Sequence, residues 1–192
     1  MNVRGRTLRM ILAALFFAIA YVLPFLTGQI REFGAMLCPM HLPVLLCGFL
    51  CGKKWGVTVG ATLPLFRSLT LGMPLLFPSA VCMAFELATY AAVAGGMYKA
   101  LPRKRGFVYV ALFTAMLAGR AVWGIAMFVC LGITGSGFTF AAFLAGAFTN
   151  AALGIFLQIL LVPLLVILLD NPKILHLSDV PATDRVGKNA TH

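Results

Sequence analysis

Arg103-Lys104-Arg105 is followed without interruption by GFVYVALFTAMLAGRAVWGIAMFVCL (106–131). Arg120 is the one charged residue in that run. At ~1.5 Å per helical residue the stretch is long enough to cross a hydrocarbon core of ~30 Å with some tilt. A basic triplet set directly against it is what a cytoplasmic anchor looks like. This segment therefore reads as a transmembrane helix entering the bilayer from the inside.

Working outward, five more runs have the same character. The six candidate spans are Met10–Thr27, Ala35–Gly52, Trp55–Leu71, Ser79–Tyr98, Gly106–Leu131 and Phe140–Leu169. Hydrophobic residues make up 61% of the 192-residue chain, charged residues only 10%, and the mean hydropathy is +1.00. That leaves too little polar material to cover a soluble domain. The fold expected is all-α and integral to the membrane, one six-helix domain over residues 1–170. A polar, aperiodic cytoplasmic tail, disordered in character, is expected over 171–192. Arg4, Arg6 and Arg9 precede an apolar run that contains Ala18-Ile19-Ala20 but continues to about Leu26, so it reads as a retained first helix rather than a cleaved signal.

The net charge of +10 raises nucleic acid as a partner, but the basic residues occupy short loops instead of one face. Arg4, Arg6, Arg9, Lys53, Lys54, Lys99, Arg103, Lys104, Arg105, Lys173, Arg185 and Lys188 fall on one side of the six-span arrangement, and only Arg31 on the other. The asymmetry places both termini in the cytoplasm of a multi-pass cell-membrane protein, with lipid around it and no nucleic acid partner. The five cysteines, Cys38, Cys47, Cys51, Cys82 and Cys130, form no CxxC and read as small buried apolar residues. No metal site, GxxxxGK[ST] loop, HExxH or GxSxG is present, so the chain neither hydrolyses ATP nor reads as an enzyme.

Charge inside the spans is expensive and faces a partner or a wet cavity. Arg67 is expected about 18 Å, and Arg120 about 21 Å, from the inner ends of their spans, with Glu86 about 10 Å from the outer end of its own. His41 sits near the outer end of span two, and Asn150 near mid-depth in span six. These five residues converge toward the outer half and read as a substrate pocket open to the outside. One carboxylate does not neutralise two guanidiniums, and the surplus positive charge suits an anionic ligand, a carboxylate above all. Arg120 or Arg67 is expected to bind that ligand, while Glu86 pairs with the other arginine or with a ligand hydroxyl; an Arg67–Glu86 fastening of spans three and four is the plain structural alternative. Ala14 and Ala18 form a small-xxx-small unit on span one, and Ala142, Gly146, Asn150, Gly154 and Gln158 a stripe at fourfold spacing on span six.

Several segments carry a family resemblance. PMHLPVLLCGFLCG (39–52), LPLFRS (63–68) and AFELATY (84–90), with the six spans and the length, resemble the substrate-binding S component of energy-coupling factor (ECF) vitamin transporters, most similarly the pantothenate type. The resemblance implies vitamin capture followed by toppling against a transmembrane coupling subunit, with ATP consumed by two partner ATPase subunits and no cofactor in this chain. It also implies that Ala14 and Ala18 dock on the coupling subunit. Pantothenate has a carboxylate and a hydroxylated apolar body, as the surplus arginine asks. Riboflavin, biotin, folate or a pyrimidine or pyridoxine precursor are the alternatives, and a stand-alone secondary transporter is the rival class.

Overall fold

A computed structural model describes residues 3–26, 39–102, 105–135, 139–149 and 151–169. Helix α1 runs Val3–Leu26, α2 His41–Cys51, α3 Lys53–Leu71, α4 Val81–Ala100, α5 Arg105–Ile133, α6 Phe140–Leu144 and α7 Ala152–Leu169. Wide turns at Leu76–Ala80 and Ala145–Thr149 lead into α4 and out of α6. Four helical stretches among these residues are long and apolar enough to cross a membrane: Gly5–Phe25, Leu76–Ala100, Gly106–Ile133 and Ala152–Leu169. His41–Cys51 is apolar but shorter. Helix α3 has the length, 19 residues, but opens on Lys53-Lys54 and carries Arg67. The beginning of the expected second span lies outside the described residues, as do the expected tail and Asn150.

The expected sixth span, Phe140–Leu169, differs in a way that matters. Its described parts are the helix Phe140–Leu144, which widens over Ala145–Thr149, and the helix Ala152–Leu169. Two glycines explain how the short first piece seats. A side chain on Gly124 would strike the Phe143 ring, and one on Gly146 would lie 2.7 Å from Trp123. The Trp123 and Phe143 rings stack with centroids 6.2 Å apart. Each aromatic thus fills the space left by a glycine on the other element.

Small residues set the rest of the packing. A Cβ on Gly60 of α3 would come within 2.7 Å of the Leu87 backbone on α4. A Cβ on Gly48 of α2 would come within 2.9 Å of the Ala91 Cα. Helices α2, α3 and α4 therefore approach backbone to backbone, the main source of association where lipid is as apolar as the protein. Gly52, at φ 89°, turns the chain between α2 and α3 in a single residue, a conformation that other residues rarely adopt. Thr58, Thr62, Thr70, Thr89 and Thr114 return their hydroxyls to the carbonyl four residues back, so these polar groups are satisfied within their own helices. The core of Val44, Leu45, Leu63, Leu87, Ala91 and Leu112 is fully enclosed. It joins the four helices that carry His41, Arg67, Glu86 and Arg120.

Candidate functional site

Glu86 lies on α4 with 1% of its surface exposed. Tyr90, one turn further, shares its face and is fully buried. Gly119 of α5 makes room for that face: a side chain there would overlap the Tyr90 ring and sit 3.2 Å from the Glu86 carbonyl. The close approach brings the next residue, Arg120, onto Glu86, with Nη1 3.0 Å from Oε1. His41 enters from the first turn of α2, its Nε2 3.5 Å from the same Oε1. Its ring meets Tyr90 edge-on at 5.4 Å. His41 and Arg120 are 3% and 7% exposed, so the cluster is buried among the described residues.

Three helices thus place an acid, a guanidinium, an imidazole and a phenol together inside an apolar bundle. Buried charges of this kind are stable only in compensation: removing one partner of a buried pair typically costs ~3–5 kcal/mol. The Arg120–Glu86 contact supplies that compensation. The first turn of α2 adds the positive end of a helix dipole near the carboxylate.

Arg67 does not join this group. Gly60 lies level with Leu87, and Arg67, seven residues further along α3, is about 10 Å beyond it. Its Nη1 donates to the carbonyl of Tyr21 on α1 at 2.7 Å, and its guanidinium sits 5.3 Å from the Phe25 ring centroid. Both partners belong to the last two turns of α1, and Arg67 itself is in the last turns of α3. Two helix C-termini, each with partial negative charge, compensate it in place of a carboxylate. The alternative in which Arg67 fastens spans three and four through Glu86 is therefore not what forms; Arg67 fastens α3 to α1.

Sequence reasoning passed over two buried polar residues as site members. Tyr90 shares the Glu86 face at a spacing of four, a signal that was there to be used. Gln158 on α7 is 1% exposed, and neither of its amide atoms has a hydrogen-bond partner among the described residues. An unsatisfied buried polar group costs ~1–3 kcal/mol, so this amide stands out. Ala14 and Ala18 are exposed on α1, whose buried face is Ala13, Phe16 and Ala20. A groove of about 390 Å³ between α5 and α6 is lined by Ala121, Gly124, Ile125, Phe128, Phe140 and Phe143 among others. It contains no charged residue, so the polar cluster and the groove are separate features.

No curated protein and no solved structure matches the chain. A model of the family described as ECF transporter, substrate-specific component, matches residues 8–166, which span α1 through most of α7 and include every charged residue of the cluster. Members of that family are substrate-binding components of membrane transporters rather than enzymes, and they work with ECF partner components on a small molecule. With its long apolar helices and its match across more than four-fifths of its length, this chain belongs to the ECF transporter substrate-specific component family.

Proposed function

We propose that this chain captures a small anionic vitamin, with pantothenate the best fit, at a site reached from the external face and built around His41, Glu86 and Arg120. The observation that carries the reading is the convergence of those three buried side chains, from three helices, within an otherwise apolar bundle. A guanidinium has five donors in a rigid fork, so Arg120 can serve a ligand carboxylate as well as Glu86. Glu86 and His41 suit the ligand's hydroxyls. Asn150 completes the set named from sequence, and Arg67 takes the structural role that its contacts with α1 support. Riboflavin is neutral and thiamin cationic, and neither needs a guanidinium.

The rest of the reading concerns assembly. The chain crosses the membrane six times with both ends inside, as the twelve-to-one distribution of basic residues favours. ATP is hydrolysed by two partner subunits, and Ala14 and Ala18 meet the coupling subunit. Titration calorimetry of the purified chain with pantothenate and with its uncharged amide tests the site. A charge-assisted contact worth ~1.5–3 kcal/mol predicts a ten- to hundredfold preference for the acid. That preference should be lost in Arg120→Gln. Equal affinity for acid and amide in the unmodified protein would sink the anionic reading.

A further inference from the structure

Helix α7 reads ALGIFLQILLVPLLVILL (152–169), and Gln158 is its one side chain able to hydrogen-bond. At a spacing of four, Gly154, Gln158, Val162 and Val166 share a face, and all are buried. Val162 and Val166 pack in one core with Val44 and Leu45 of α2 and with Leu112 and Met116 of α5. Helix α7 therefore lies against the two helices that bring His41 and Arg120 to Glu86. From Val162, Gln158 lies one turn toward α6, about 6 Å along the axis. Helix α6 in turn seats on α5 at Trp123 and Gly124, in the turn that follows Arg120. The amide thus lies on the side of Val162 that faces the charged cluster.

An apolar side chain would pack at this position without cost, whereas a buried amide with unmade hydrogen bonds is disfavoured. Glutamines in membrane bundles commonly bond across helices and fasten them. Neither Oε1 nor Nε2 of Gln158 makes such a bond among the described residues. A polar group kept in an apolar position, without a partner in its own bundle, is a mark of function, because an arriving molecule supplies the bonds.

We infer that Gln158 is a substrate-binding residue that recognises the neutral, hydrogen-bonding body of the ligand. The inference rests on the carboxylate site proposed above and adds a second point of recognition to it. Arg120 takes the charged end; at Gln158, Oε1 accepts from a ligand N–H and Nε2 donates to a ligand oxygen. The substrate class this describes is a monocarboxylate whose body contains an amide, as that of pantothenate does. A carboxylate with a hydrocarbon body leaves the buried amide unanswered and is discriminated against.

The test is calorimetry of the full chain, as the unmodified protein and as Gln158→Met, which keeps the length of the side chain and removes its amide. The probes are pantothenate, its uncharged terminal amide, and the ester in which oxygen replaces the N–H of the body. The unmodified protein should bind pantothenate roughly five- to a hundredfold more tightly than the ester, the usual effect of stranding one buried polar group. In Gln158→Met the affinity for pantothenate should fall by a similar factor, and the preference over the ester should vanish. Its preference for acid over terminal amide should remain, because Arg120 is untouched. Thermal denaturation without ligand should find the variant at least as stable as the unmodified protein, which a fastening role for Gln158 does not allow. An unmodified protein that prefers acid to terminal amide but binds the ester as tightly as pantothenate would overturn the role of Gln158 and leave the anionic site standing. So would a Gln158→Met variant that keeps the preference for pantothenate over the ester. Equal affinity for acid and terminal amide would remove the anionic site, and the ester comparison would still decide on Gln158. No binding of pantothenate would remove both.

Discussion

Arg67 and Arg120 are the same residue type at similar sequence depth, yet their surroundings give them different work. Arg120 meets a carboxylate, whereas Arg67 meets a main-chain carbonyl and an aromatic face on α1. Arg67→Gln should therefore loosen α1 from α3. The lost charge-assisted hydrogen bond is worth ~1.5–3 kcal/mol and the cation–π contact ~0.5–2. Thermal denaturation of the detergent-solubilised variant should show the loss, while calorimetry should find its preference for acid over amide intact. A variant of normal stability that no longer distinguishes acid from amide would show that the two roles are reversed. The contrast also shows what a sequence hides at this scale. Isolated charges in apolar runs advertise themselves, which is why Glu86, Arg120 and His41 stood out in the sequence, together with Arg67 and Asn150. A peptide carbonyl such as that of Tyr21 has no signature, so the destination of Arg67 was not legible.

At the scale of elements, hydrophobic run length locates helices well and their interruptions poorly. Residues 106–131 read as one helix and are one, extended slightly at each end to Arg105–Ile133. Residues 140–169, long enough to tilt or to include a turn, hold Phe140–Leu144, a wider helical stretch Ala145–Thr149 and Ala152–Leu169, and the widening is as apolar as the helices on either side. Trp123 and Phe143 seat reciprocally against Gly146 and Gly124 there, and no periodicity reports such a pairing. Helix α1 is the converse case. Its small residues at positions 14 and 18 were visible as a pattern, and both are exposed beside Ile11, Leu15 and Val22. If that face receives the coupling subunit, Ala14→Leu or Ala18→Leu separates two helix backbones. Transport in a reconstituted complex should then be blocked, with ligand binding by the isolated chain unchanged. Normal transport by both variants would remove the docking role, and a parallel loss of binding would assign these alanines to internal packing.

Over the whole molecule, one charge pattern organises both the topology and the site. Basic residues at the ends of the apolar runs define the proposed inside, and the few charges left within the runs define the candidate pocket. The all-helical, membrane-embedded architecture followed from composition alone, because a bilayer leaves few ways to satisfy the backbone. The identity of the ligand did not follow, since the cluster specifies charge and hydrogen bonding rather than a particular molecule. The most direct measurement is mass spectrometry of the small molecules that co-purify with the full chain, gently solubilised from cells grown in rich medium. The account predicts a hydroxylated monocarboxylate, pantothenate first among them, near one per chain in the unmodified protein and depleted in Arg120→Gln. A neutral or cationic vitamin such as riboflavin or thiamin, recovered near one per chain and retained in Arg120→Gln, would contradict it.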